Sequence, residues 1–407
     1  MGNRMDDTSG NKTTVDDEQV NEAAADEDHR MPAWREVFVY FLLLGFVNVG
    51  GPVAQITMMY NHMVERRRWL SNDRFVRIMG FCHMLPGPEA LQLAIYVGYL
   101  KRGVTGGVLA GLTFIVPGAG VMILLSWLYV TYGSLPQVTD ALFVLKPAVL
   151  GIICAGIIKL GRAAIKGALL AALLVGAVVG MRFGGINFLV ILLAAGLLHL
   201  LIKEGWPRWR SSATMPALLG VPALGVAVAD SRWFQMAWLF LKTGLFSFGG
   251  AYASLIFLER GAVQQHHWLT SGQLLDGVAL SVATPGPFML FTTFVGYIAG
   301  GVPGAVIATF FVFLPSFVFV LAGARYVEQV RNNRWVQAFL AGASAAVVGV
   351  IFVVSLDLVP EALAGVVSVL IALCSFLLIV LLKRDVALVA VGAIVGGIAY
   401  AAARALG

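Results

Sequence analysis

Charge is what this 407-residue chain has least of: 12% of its residues are Asp, Glu, Lys or Arg, against 59% hydrophobic. Soluble domains carry about a quarter charged residues, so a chain like this could not cover a water-facing surface, which excludes a conventional soluble enzyme. Cysteine is scarce as well. Cys82, Cys154 and Cys374 lie scattered without paired spacing, excluding a disulfide scaffold and a zinc-finger type of site. The 46 glycines follow no three-residue period, so a collagen-like fibre is excluded. No His-Glu-x-x-His, Gly-x-Ser-x-Gly, Walker-type phosphate loop or Rossmann fingerprint occurs, and ATP-driven transport and hydrolysis have no support. What remains is a polytopic membrane protein.

The few charges are unevenly placed. Residues 1–30 hold nine acids against Arg4, Lys12 and Arg30, leaving 25 of the 28 Lys/Arg and 13 of the 22 Asp/Glu for the rest. This stretch has no apolar run, so residues 1–33 read as a disordered acidic cytoplasmic tail and not as a signal peptide. From Trp34 onward apolar segments follow one another at 34–60, 73–100, 104–132, 141–159, 164–181, 186–202, more weakly 214–229, then 233–257, 273–299, 303–324, 336–356, 361–382 and 386–403. Most have the roughly 17–25 residues that cross a bilayer as helix, and they are too long and unalternating for barrel strands. The fold class expected is an all-α polytopic membrane protein.

The chain also repeats itself. Gly45, Gly50-Gly51, Trp69-Leu70 and Pro86-Gly87-Pro88 recur as Gly244, Gly249-Gly250, Trp268-Leu269 and Pro285-Gly286-Pro287 at one constant offset of 199. Pro117 and Pro315 correspond at 198. The expected organisation is an N-terminal repeat over 34–203, a connecting segment over 204–232 with a spanning helix, and a second repeat over 233–407. Positive residues favour the cytoplasmic side. They crowd the links at 65–77, 101–102, 159–166 and 203–210 in the first half. In the second half they crowd the complementary links, at Arg325/Arg331/Arg334 and Lys383-Arg384. The second half is therefore expected upside down relative to the first, with the N-terminus cytoplasmic and the C-terminus periplasmic. Basic links on both sides of 73–100 imply a re-entrant hairpin bent at Pro86-Gly87-Pro88, and the same logic bends 34–64 at Gly50-Gly51-Pro52. Inverted repeats with broken helices are an architecture of secondary transporters, with substrate held near the midplane.

Proline after glycine starts a helix well, so Pro88 and Pro287 should open half-helices that aim free backbone N–H groups inward. Gly50, Gly51, Gly249 and Gly250 can do the same, and four such termini converging form an anion site. The competing reading is that these residues serve kinks and close helix packing. Polar side chains cluster by the bends: Asn48 and its repeat partner Ser247, Glu89 and Gln92 on one helical face, and Thr292. Lys146 and Lys242 are cations inside apolar segments, where a charge usually has a functional or paired reason. Glu89 is the carboxylate expected deepest in the first half and so a candidate proton carrier; a static pair with a lysine is the alternative. His62, His83, His266 and His267 read as exposed or packing residues. The Arg66–Arg68 cluster reads as a topology anchor that also gathers anions. No cofactor, metal or nucleic-acid partner is implied. On the residues alone three readings stand: an oxyanion exporter, a transporter of another substrate on the same plan, and a membrane-embedded enzyme.

The run Gly45-Phe-Val-Asn-Val-Gly-Gly-Pro-Val-Ala54, then Arg67-Arg-Trp-Leu70 and Leu85-Pro-Gly-Pro88, resembles the chromate ion transporter family. The second copy, Lys242-Thr-Gly-Leu-Phe-Ser-Phe-Gly-Gly-Ala251 with Thr284-Pro-Gly-Pro287, resembles its duplicated, long-chain form. The resemblance covers about residues 34–403. It implies efflux of chromate across the bacterial inner membrane and chromate resistance, driven by the proton motive force, with the glycine-pair and Pro-Gly-Pro regions important for transport. Asn48-Val49 departs from the Ser-Phe often found before the first glycine pair, which keeps a polar side chain and removes an aromatic. Chromate is a tetrahedral dianion close in shape to sulfate, so helix N-termini, hydroxyls, amides and lysines suit it as donors. Sulfate or another anion is the alternative cargo, membrane lipid and coupling protons the other partners, and homo-oligomerisation is left open. Nothing offers a flavin, haem or thiol relay for chemistry on chromium.

Overall fold

Apolar runs punctuated by glycine and proline give helices of two length classes, half-length and full-length. The computed structural model describes residues 31–48, 52–133, 135–204, 231–248, 251–324 and 333–406. The acidic tail, the 214–229 segment and both glycine pairs, Gly50-Gly51 and Gly249-Gly250, lie outside the described residues. Among the described residues there are α-helices with short 3₁₀ and π turns and no strand. The first seven helices are α1 (Trp34–Val47), α2 (Pro52–Tyr60, extended by a π-turn at Asn61–Arg66), α3 (Asn72–Cys82), α4 (Glu89–Tyr132), α5 (Pro136–Ala164), α6 (Ala168–Arg182) and α7 (Phe188–Glu204). The next seven repeat them one for one: α8 (Arg232–Leu245), α9 (Ser254–Leu258, extended by a π-turn at Glu259–Gln265), α10 (Ser271–Ala283), α11 (Phe291–Gly323), α12 (Arg334–Ala362), α13 (Val366–Val380) and α14 (Val386–Leu406).

The correspondence reaches individual dihedral angles. In α4 the helix breaks at Arg102 (φ −144°, ψ 21°) and Gly103 (φ 65°, ψ −161°). In α11 it breaks at Gly300 (φ −157°, ψ 26°) and Gly301 (φ 62°, ψ −154°). At each break the chain turns back, so that Gly98 packs on Gly106 and Gly296 on Gly304. Each of these long helices is thus a short arm (89–101 or 291–299) folded against a full-length arm. The Trp-Leu motif has an equally local cause. Arg68 and His267 both adopt positive φ, and Trp69 and Trp268 donate their N–H groups back to Met63 O and Ala262 O, closing the π-turns.

The helices differ widely in length. With 14 and 11 residues, α1 and α3 reach about 21 and 16 Å at 1.5 Å per residue, short of the roughly 30 Å hydrocarbon core. By contrast α4, α5, α11, α12 and α14 are long and apolar enough to cross a membrane, and α6 and α13 are shorter apolar helices. The chain is a multi-pass membrane protein whose half-length helices meet in pairs at the expected breaks. The segments expected at 141–159 and 336–356 run longer than the apolar runs. Lys159 and Arg162 do not stop α5, since cations suit a helix C-terminus.

Two sets of contacts fix how the repeats sit together. Leu321 lies over Gly107 and Phe317 over Gly111, one turn along α4 for one turn back along α11. Equivalent helices therefore meet antiparallel, which inverts the second repeat relative to the first. The other contacts are exchanged: α5 packs against α13 and α14, while α12 packs against α6 and α7. The seam is made of small residues that let backbones touch, with Gly151 on Ala372 and its equivalent Gly349 on Leu174. A Cβ on Gly349 would meet Leu174 O at 2.6 Å. Gly349→Leu should therefore cost at least about 1–3 kcal/mol by overpacking. Its melting temperature and monodisperse yield after detergent extraction should both fall; an unchanged melting curve would contradict this packing.

Candidate substrate site at the helix breaks

Each repeat is interrupted twice, and the interruptions meet across the pseudo-twofold. In the first repeat α1 ends at Val47 with Asn48 leaving the helix (φ −80°, ψ 82°), and α3 ends at Cys82 ahead of Pro86-Gly87-Pro88. Gly87 N–H donates to Ser247 O at 3.1 Å, and reciprocally Gly286 N–H donates to Asn48 O at 2.9 Å. Each Pro-Gly-Pro bend thus grips the polar residue two positions before the other repeat's glycine pair. Gln55 Nε2 adds a bond to Gly286 O at 2.9 Å, and Gln92 Nε2 one to Pro86 O at 2.7 Å. Pro88 and Pro287 stand one residue before their helical turns, both extended, where the sequence reading put them inside the first turn. Pro88 caps α4 directly. Pro287 leads first into a 3₁₀ turn, Phe288–Leu290.

Backbone groups at these bends are engaged, but several side chains are not. Asn48 is fully buried, and neither its Oδ1 nor its Nδ2 has a hydrogen-bond partner. Gln92 Oε1 and Ser316 Oγ are likewise buried and unpartnered. Ser316 reaches the first bend, where a Cβ on Gly87 would meet its Oγ at 2.6 Å. Its repeat equivalent Gly118 packs on Pro285 at the second bend and carries no hydroxyl there. An unpaired buried polar group costs about 1–3 kcal/mol, and three of them at the helix breaks mark a place built to hold polar atoms. Other hydroxyls there are already committed. Ser247 Oγ donates to Thr243 O at 2.5 Å, Thr292 Oγ1 to Met289 O at 2.8 Å, and Thr293 Oγ1 pairs with Thr309 Oγ1 at 2.8 Å.

The charged candidates are placed elsewhere. Glu89 is 26% exposed and pairs with His83 Nδ1 at 2.8 Å. As the first residue of α4 its side chain leans back toward the preceding turn, and so it is not a deeply buried carboxylate. Lys146 pairs with Asp276 Oδ2 at 3.3 Å. Lys242 lies 5.5 Å from the Trp238 ring centroid and lines a separate cavity of about 290 Å³ with Arg260, Asn187 and Gln265. His62 and His266 stack on Tyr40 and Trp268. Buried carboxylates stand beside these lysines as well: Glu259 and Asp276 are both 2% exposed. Sequence reasoning missed Asp276, Tyr129, Gln55 and Ser316. A signal existed for Asp276: it is an acid within an apolar segment, aligned by the repeat with Arg77.

The chromate transporter family model matches residues 35–200 and 234–398, one match for each inverted unit. A chromate transport protein of Pseudomonas aeruginosa is 36% identical over 345 residues, covering 80% of this chain and 81% of that one. One from Cupriavidus metallidurans is 31% identical over 389 residues, covering 93% and 96%. A probable chromate transport protein of Synechococcus elongatus is 32% identical over 332 residues, covering 79% and 84%. No solved structure matches the chain. Two matches in register with two units of fold, and relatives aligned across nearly their whole length, say that the chain belongs to the chromate transporter family, in its duplicated form.

Proposed function

We propose that this chain is a secondary transporter that exports chromate across the bacterial inner membrane, exchanging it against protons and so conferring chromate resistance. The carrying observation is the reciprocal pair of hydrogen bonds from Gly87 to Ser247 and from Gly286 to Asn48. It brings two half-helix N-termini together with the unpartnered side chains of Asn48, Gln92 and Ser316. Helix N-termini present the positive end of the helix dipole, which suits an anion with four acceptor oxygens. Amide and hydroxyl donors orient such an anion without adding a fixed charge that would hold it too tightly to leave. The basic links at 65–77 and 101–102 support a cytoplasmic N-terminal side, where they would gather anions.

The test is uptake of labelled chromate into proteoliposomes of the purified full chain, competed by sulfate, with and without an imposed pH gradient. Saturable uptake that responds to the gradient is expected, with chromate preferred over sulfate. An absence of saturable chromate uptake would overturn the reading, and sulfate outcompeting chromate would change the cargo.

A further inference from the structure

The most buried ion pair among the described residues lies between the repeats, apart from the helix breaks. Asp276, on the half-length helix α10, has a side chain only 3% exposed. Its Oδ2 accepts from Tyr129 OH at 2.8 Å, on the full-length arm of α4, and meets Lys146 Nζ at 3.3 Å, on α5. Its Oδ1 has no partner. Both partners come from the first repeat while Asp276 belongs to the second. The positions equivalent to Asp276 and Lys146 in the opposite repeats are Arg77 and Ser344, so the arrangement exists once per molecule.

The surroundings supply little other compensation. From α12, Glu361 approaches the start of α10, where a Cβ on Gly272 would meet Glu361 Oε2 at 3.0 Å and Lys146 Nζ at 3.6 Å. From the π-turn, Glu259 accepts from Ser271 Oγ at 3.0 Å, and neighbouring Arg260 is turned to Asp357 of α12 at 3.6 Å. The charged residue of α14, Arg404, is held by Asp140 at 2.7 Å, and α11 contains no charged residue. Lys146 is therefore the cation that balances Asp276.

We propose that Asp276 is the proton-carrying group of the transport cycle and that Lys146 is the counter-charge that releases the proton. The inference rests on the transport function proposed above. A movement of α10 against α5 would change the distance between Asp276 and Lys146. A carboxylate left buried without its cation takes up a proton in preference to staying charged. One proton adds to one oxygen of Asp276 as Lys146 withdraws, and leaves when Lys146 returns and the carboxylate is again the favoured form. Conformation and proton occupancy are thereby linked through one contact, and the unpartnered Oδ1 is free to receive the proton. Glu89, a quarter exposed and held by His83, lacks this link to the movement.

Two readouts in proteoliposomes separate coupling from transport: exchange of labelled against unlabelled chromate without a gradient, and uptake driven by an imposed pH gradient. Asp276→Asn should keep exchange within about threefold and lose gradient-driven uptake by at least about tenfold. Glu89→Gln should keep both. Asp276→Glu, which preserves the acid and guards against misfolding of the amide variant, should keep coupling with a displaced pH profile. A purely structural pair predicts otherwise: joint neutralisation in Asp276→Asn/Lys146→Gln would restore gradient-driven uptake, and that result would overturn the proposal. So would intact drive in Asp276→Asn, or an unmoved pH profile in Asp276→Glu. No chromate exchange in the unmodified protein would instead overturn the transport reading, and this inference with it.

Discussion

Gly87→Ala is expected to cut chromate transport by at least about tenfold while the protein still reaches the membrane. Gly87 has φ +116°, a region that L-residues with a Cβ occupy only under strain, at about 1–3 kcal/mol. The added methyl would also collide with Ser316 Oγ at 2.6 Å. Two adjustments are available, and both reach the site. The bend can relax, which withdraws Gly87 N–H from Ser247 O, or Ser316 can be pushed aside. Gly286→Ala shares the backbone problem at φ +106°, but there the methyl meets Leu290 Cδ1 at 2.8 Å, the end of a flexible side chain. The second substitution should therefore be milder than the first, and their ranking in initial exchange rates is the measurement. Equal activity of Gly87→Ala and the parent protein would mean the bend does not shape the site.

Asn48→Leu should move stability and activity in opposite directions. Both polar atoms of the Asn48 amide are buried and unpaired, a burden that leucine of nearly the same size removes. The variant should be more stable by about 1–3 kcal/mol, because the unsatisfied donor and acceptor are gone. Transport should nevertheless fall by at least about tenfold if the amide is there for the anion. Asn48→Ser, which installs the residue found at the equivalent position Ser247, should recover part of the rate. Parallel thermal melts and exchange assays decide the matter. A destabilised Asn48→Leu would show that the amide has a structural partner, and an active one would remove Asn48 from the site.

The fold was open to sequence reasoning wherever a rare residue pattern recurred at fixed spacing. Pro-Gly-Pro and Trp-Leu marked real backbone events, the positive φ at Gly87 and Gly286 and the π-turn closures before Trp69 and Trp268. Lys and Arg placement foretold the inversion that the antiparallel contact of α4 with α11 displays. The helix breaks were legible in the sequence, but the partners of the side chains around them were less so. Glu89 looked deep because it follows the bend, yet the first residue of a helix points back out toward His83. Lys146 looked like an anion ligand because its partner Asp276 lies in the other repeat, 130 residues along the chain. Pairing across an inverted interface leaves no periodicity to read. The unpartnered state of Ser316 likewise depends on which helix face meets which bend, and the repeat offers only glycine at the corresponding position.

The exchanged packing also bears on how the protein is made. The face of α5 that receives α13 and α14 is complete only after more than 200 further residues have left the ribosome. Until then α5, with Lys146 in it, lacks those final neighbours. A chain truncated after the first unit should accordingly accumulate as a species prone to degradation, however well its own helices insert, whereas separately expressed halves could complete each other. This long interval is therefore a stretch of synthesis during which the first unit is open to degradation.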